Sequence, residues 1–215
     1  MNYYEKYLKY KNKYLDLKNQ FGGYNGKIYI LVGPPGSGKS TRAKELSIGQ
    51  ERLICEADKF PGLYNDRGDI DFKKSATAHA SCKLCVDNLM KAIEPIIVQA
   101  NTNLNLGSKG IKPYIEMALK YNYEVDIILP TDDLLYFNID KEGKMLPEQK
   151  REMQIKHLKE ARSVRSSDVS GFKKVPTTAI DRMVDNFYSL KSEMQELAEI
   201  HNPEEILKRI SILER

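Results

Sequence analysis

The chain has 215 residues, 41% of them hydrophobic and 30% charged, with a net charge of +4. That is enough apolar material for one buried core and too little length for two full domains, so one body with an appendage is expected. No apolar run approaches the thickness of a bilayer and the N-terminus lacks the apolar centre of a secretory signal, so no membrane partner and a soluble, cytoplasmic protein are expected.

Residues 1–24 differ in composition from the rest. They hold six of the thirteen tyrosines (Tyr3, Tyr4, Tyr7, Tyr10, Tyr14 and Tyr24). Lys6, Lys9, Lys11, Lys13 and Lys18 stand against Glu5 and Asp16, a net +3 that leaves +1 for the remaining residues. Tyr4, Tyr7, Leu8, Tyr14, Leu15 and Lys18 recur at helical spacing, so the segment predicts an amphipathic helix stopped by Phe21-Gly22-Gly23. It reads either as a helix on the body or as a basic, aromatic arm for nucleic acid or a partner.

The body, expected over 25–215, begins with an apolar, β-branched run, Lys27-Ile28-Tyr29-Ile30-Leu31-Val32. There follow Gly33, Pro34, Pro35, Gly36, Ser37, Gly38, Lys39 and Ser40, which satisfy the G-x-x-x-x-G-K-[ST] pattern, and then a helix from Thr41. Strand, glycine-rich loop and helix in that order form a phosphate cradle: the backbone N–H groups and the positive helix end face an anion. Lys39 is expected to reach the β- and γ-phosphates of ATP, and the Ser40 hydroxyl to sit on Mg²⁺. The loop therefore predicts a nucleoside-triphosphate binder.

Further strands are predicted at Arg52-Leu53-Ile54-Cys55, Pro95-Ile96-Ile97-Val98 and 123–129, with helices over 73–93 and 110–121 between them. This alternation predicts an α/β fold: a parallel sheet sandwiched by helices, with ligands at the carboxyl ends of its strands. A charged helix is expected over 147–165, inside a helical lid of about 146–176, and helices near 176–199 and 203–212 close the chain. Cys82 and Cys85 form a C-x-x-C on the first long helix. With no second Cys/His pair at metal-ligand spacing, Cys55, Cys82 and Cys85 read as reduced, buried thiols.

Phosphoryl transfer needs a group to position the acceptor hydroxyl and take its proton. Asp58, expected to close the second strand in Leu53-Ile54-Cys55-Glu56-Ala57-Asp58, is the candidate, set against a plain surface carboxylate. His79 is read evenly as an acceptor-site residue or a packed helix histidine. His157 and His201 read as surface positions on charged helices. Asn103 and Asn105, at a strand exit, are either phosphate or ribose ligands or simple turn residues.

The order GPPGSGKST, EADKF, AHASC, IIVQANTNLN and KPYIEMALKYNYEV resembles the polynucleotide 5′-hydroxyl kinases, both the bacteriophage type and the related domains of eukaryotic proteins. The likeness runs from about Lys27 to Phe187. Its selective part is Asn101-Thr102-Asn103-Leu104-Asn105 followed by Lys112-Pro113-Tyr114. The resemblance implies transfer from ATP to the 5′ ends of DNA or RNA, with Lys39 and Ser40 at the phosphates and Asp58 as general base. It further implies a lid that presents Arg165, with Arg162 one turn earlier, to the transferred phosphate. Three positions depart from the family pattern. Lys59 stands where a second acid is common, Asn101 where an aspartate precedes the Thr-Asn pair, and Ser170 where a second lid arginine stands. Lys173 or Lys174 would then supply that last charge, without an arginine's bidentate fork.

Two alternatives stay open at this point: a kinase of a small-molecule acceptor, and an ATP-binding module weakened in catalysis. A Ras-like GTPase is disfavoured by the lack of an N-K-x-D motif. The opening MNYYEKYLKYKNKYLDLKNQFGG resembles leaders on proteins of large nucleocytoplasmic DNA viruses, which would suit a viral protein acting in a host cytoplasm. Oligomeric state is not readable from the chain.

Overall fold

Four parallel strands carry the fold in this computed structural model, which describes residues 6, 9, 10, 23–34, 37–65, 70–101, 105–129 and 177–213. They are β1 (Gly26–Val32), β2 (Ile54–Cys55), β3 (Ile96–Asn101) and β4 (Tyr123–Ile128), laterally ordered β2-β3-β1-β4. The helices are α1 (Lys39–Leu46), α2 (Phe72–Lys91), α3 (Lys112–Tyr121), α4 (Thr177–Ala198) and α5 (Pro203–Leu213). The expected α/β sandwich is therefore present. Of the arm expected at 1–24, Lys6, Lys9 and Tyr10 are described as exposed helical positions, and Gly23 and Tyr24 as the non-helical lead into β1. The lid expected at 146–176 lies outside the described residues.

Right-handed crossovers explain which face each helix takes. The chain moves from β1 to the β2 edge, then back through β3 and across to β4, so the first connection covers one face and the next two cover the other. Accordingly Ala43 of α1 packs with Leu31, Ile54 and Val98 on one side. On the other, α2, α3, α4 and α5 bury Ile28, Ile30, Val32, Ile97, Val125 and Ile127. The change of direction at β1 falls at the carboxyl edge of the sheet, the place where open α/β sheets put their ligands.

Local chemistry sets the element ends. The Asp71 carboxylate caps α2 by accepting from the Lys73 N–H at 3.0 Å. Ala78, Cys82, Val86 and Met90, four residues apart, form the buried stripe of that helix. Pro113 stands in the first turn of α3, where its missing N–H costs nothing, and Asn122 ends the helix in the left-handed conformation. Gly26 is required by close approach: a Cβ there would lie 2.8 Å from the Pro95 carbonyl and 2.8 Å from the Tyr123 ring. The outer edge of β4 is covered by the α4–α5 link, whose His201 carbonyl accepts from the Val125 N–H at 3.0 Å.

Several boundaries differ from expectation. Glu51–Leu53 coil into a 3-10 turn, which shortens β2 to two residues. β3 runs on to Asn101, paired with β1 as far as Val32, and the polar Gln99 is buried within it. Cys55 and Cys85 are joined in a disulfide, so of the three cysteines only Cys82 remains a thiol, which corrects the expectation of three reduced thiols. The pairing arises because β2 delivers Cys55 against the face of α2 that carries Cys85. Among the described residues no helix is long and apolar enough to cross a membrane.

Candidate active site at the carboxyl edge of the sheet

β1 ends at Val32 and delivers Gly33 and Pro34, both buried, into the loop. Pro35 and Gly36 lie outside the described residues. Ser37 is buried, and its N–H donates to the Pro34 carbonyl at 3.3 Å. Gly38 takes φ +79° immediately before α1, a left-handed conformation that a side chain would strain. No side chain caps α1, so the amides of its first turn face outward with the positive end of the helix dipole. Ser40 and Thr41 are exposed in that same turn.

The Lys39 ammonium is folded back over the loop. It donates to the Gly33 carbonyl at 2.8 Å, the Pro34 carbonyl at 2.7 Å and the Ser37 hydroxyl at 3.3 Å. Burial of the charge pushes its pKa down to about 8, against the opposing pull of the Asp58 and Glu56 carboxylates. The residue as a whole keeps some solvent exposure. The desolvation thus falls on the ammonium, which the loop backbone encloses, rather than on the stem.

Asp58 does not close a strand. It sits in the 3-10 turn Ala57–Lys59, three residues beyond β2, partly exposed, and accepts from the Tyr64 hydroxyl at 3.3 Å. β2 is two strands away from β1 in the sheet, a lateral offset of roughly 10 Å. The turn packs against α2, and the charge at Asp58 is felt at Lys39. Glu56, which precedes the turn and pairs with Lys59 at 3.3 Å, adds a second negative charge that sequence reasoning passed over. Its position between a buried cysteine and the Asp58 turn was the available signal.

Asn101 is the last residue of β3 and pairs in register with Val32, so its backbone adjoins the first residue of the loop. His79 is partly buried in the N-terminal half of α2. Asn105 is a turn residue: its side-chain oxygen accepts from the Gly107 N–H at 2.8 Å. Asn103, Arg162, Arg165, Lys173 and Lys174 lie outside the described residues, as does His157. The carboxyl edge therefore brings together Gly33, Pro34, Ser37, Gly38, Lys39, Ser40, Thr41, Asp58 and the backbone of Asn101.

His201 is exposed as expected but lies in the link between α4 and α5 rather than on a helix. Its Nδ1 is 2.7 Å from Asp126, which with Glu124 flanks the Lys27 ammonium at 3.1 Å each. These groups sit at the amino ends of β1 and β4, the opposite end of the sheet from the loop. Lys27 already neutralises the two carboxylates there, and the arrangement ties β1 to β4. As for Mg²⁺, a hydroxyl such as that of Ser40, completed by phosphate oxygens and water, is a donor set this hard cation accepts.

No protein-family model matches this chain, and no curated protein matches it. A solved structure from Chloroflexus aurantiacus, described as a "putative kinase", aligns with it at 12% identity and a TM-score of 0.49, over 74% of this chain and 78% of that one.

Proposed function

We propose that the chain is an ATP-dependent kinase that phosphorylates the 5′-hydroxyl end of a polynucleotide. The observation that carries the reading is the opposition across the carboxyl edge of the sheet: a desolvated Lys39 in a glycine loop, and the Asp58 and Glu56 carboxylates whose charge acts on it. A phosphate arriving at the loop offers Lys39 anionic oxygens in place of two neutral carbonyls. The exchange holds the ammonium charged to higher pH and strengthens each contact.

In this reading the acceptor oxygen attacks the γ-phosphorus in line while the bond to the β-phosphate oxygen breaks, and ADP leaves. Asp58 orients the hydroxyl and takes its proton as the new bond forms. The Tyr64 hydroxyl holds the carboxylate in place. Ser40 would hold Mg²⁺, which when bound neutralises charge on the phosphate oxygens. The resemblance assigns Arg165 to meeting the charge of the transferred phosphoryl group. The polynucleotide acceptor is supported by the sequence likeness through Asn101-Thr102-Asn103-Leu104-Asn105 and Lys112-Pro113-Tyr114.

The test is transfer from γ-labelled ATP to DNA and RNA oligonucleotides bearing 5′-hydroxyls, beside a panel of nucleosides, sugars and aminoglycosides. Label on an oligonucleotide end is the expected result. Label only on a small molecule replaces the acceptor class, and ATP binding with no transfer to any acceptor reduces the chain to a nucleotide-binding module.

A further inference from the structure

β2 is an edge strand of two residues, paired to β3 through Ile54 with Val98 and Cys55 with Gln99. So short a pairing gives little independent hold on the segment it leads into, Glu56 and then the turn carrying Asp58. The covalent tie at this point is the disulfide from Cys55, the last residue of β2, to Cys85 in the middle of α2. Cys82 lies one turn before Cys85 on α2, and its sulfur accepts from the Tyr114 hydroxyl at 3.6 Å and the Gln99 amide at 3.8 Å. Burial also pushes the Cys82 thiol up, so it is no competitor in exchange chemistry. Cys55 is buried, whereas Cys85 is partly exposed.

We infer that Cys55 and Cys85 form a thiol–disulfide switch, exchanging with a low-molecular-weight thiol/disulfide couple of the glutathione class, that fixes or frees the Asp58 turn against α2. In reduction the external thiolate attacks Cys85 Sγ, the sulfur–sulfur bond breaks, and its electron pair leaves on Cys55 Sγ, which takes a proton. A second external thiol attacks the mixed disulfide and releases the Cys85 thiol. Two external thiols become one external disulfide, and the protein gains two electrons and two protons. The oxidised state holds residues 54–60 on α2, and the reduced state leaves them tied by the two-residue pairing and the turn's own contacts. The consequence for phosphoryl transfer rests on the function proposed above: reduction lowers turnover without weakening ATP binding at the loop.

The experiment uses the full chain equilibrated in oxidised or in excess reduced glutathione, quenched, unfolded and alkylated to count thiols. In parallel, amide hydrogen exchange is followed at 54–60 and at 39–46. One alkylated cysteine is expected in the oxidised sample and three in the reduced one. Exchange at 54–60 is expected to quicken by roughly tenfold or more on reduction, with 39–46 unchanged, as for a local opening. The Cys55→Ser/Cys85→Ser double variant is expected to show the fast exchange in both buffers, and Cys82→Ser to respond as the unaltered protein does. A bond that survives excess reduced glutathione in the folded protein overturns the switch, as does unchanged exchange once three thiols are counted. Loss of phosphoryl transfer in both states would instead sink the kinase reading while leaving the exchange result standing.

Discussion

Lys39 offers a prediction that needs neither substrate nor assumed acceptor. Its ammonium, ordinarily titrating near 10.5, is pushed down to about 8 by burial in the loop. Between those two values the unfolded chain binds a proton that the folded chain does not, so stability rises with pH. The gap of about 2.5 pH units corresponds to a ceiling of roughly 3.4 kcal/mol. Residual solvent at the loop and the ion–dipole contacts to Gly33 and Pro34 reduce this to about 2 kcal/mol. Urea unfolding of the unaltered protein and of Lys39→Met, over about pH 7 to about pH 10, isolates the effect, because other titrations cancel in the difference. The unaltered protein should gain about 2 kcal/mol on the variant across that range. Saturating ATP should flatten the gain by keeping the lysine charged in the folded state. A difference that stays level in the ligand-free protein would refute the desolvation argument. One that falls with pH would mean that the acids of the β2 exit dominate and Lys39 is a stabilised ion-pair partner.

Further predictions concern the frame around the site. Gly26→Ala should cost about 1–3 kcal/mol by urea midpoint, since the new methyl meets the Pro95 carbonyl and the Tyr123 ring, neither free to retreat; an unchanged midpoint would contradict the packing described. Tyr64→Phe should lower turnover about tenfold with ATP affinity unchanged, the effect of about 1.5 kcal/mol from one long hydrogen bond to the Asp58 carboxylate; a matching loss of ATP affinity would assign Tyr64 to the nucleotide instead. Replacing both Cys55 and Cys85 by serine should destabilise by roughly 3–4 kcal/mol by chain entropy for a separation of 30 residues, read by thermal or urea unfolding under oxidising conditions.

The phosphate loop is readable because each of its parts is dictated by sequence-local chemistry: an apolar run for β1, a glycine at a left-handed position, a lysine and hydroxyl opening a helix. Helices α2, α3 and α5 agree with expectation to within two residues at each end because their buried faces follow strict helical spacing. The features that escape depend on contacts distant in sequence. Gln99 lies just past the run read as a strand, yet it belongs to β3, paired with Ile30 of β1 and with its amide on the Cys82 sulfur. Asp58 reads as a strand residue because nothing in Glu56-Ala57-Asp58-Lys59 announces the 3-10 turn that follows the end of β2 at Cys55. Cys82 and Cys85 on α2 read as reduced thiols because no further cysteine stands near them in the sequence. The partner of Cys85 is instead Cys55, brought there by the register of β2 with β3. His201 reads as an idle surface residue, and the covering of the β4 edge by its backbone is invisible without the sheet order.

The most direct test of the central claim compares single-turnover transfer from γ-labelled ATP to a 5′-hydroxyl oligonucleotide in the unaltered protein and in Asp58→Asn, with ATP affinity measured on both. With Asp58 as the base, the substitution should leave ATP affinity within about twofold and slow transfer by about 10²–10⁴-fold, the range for loss of a positioned general base. Transfer at a near-normal rate in Asp58→Asn would contradict it.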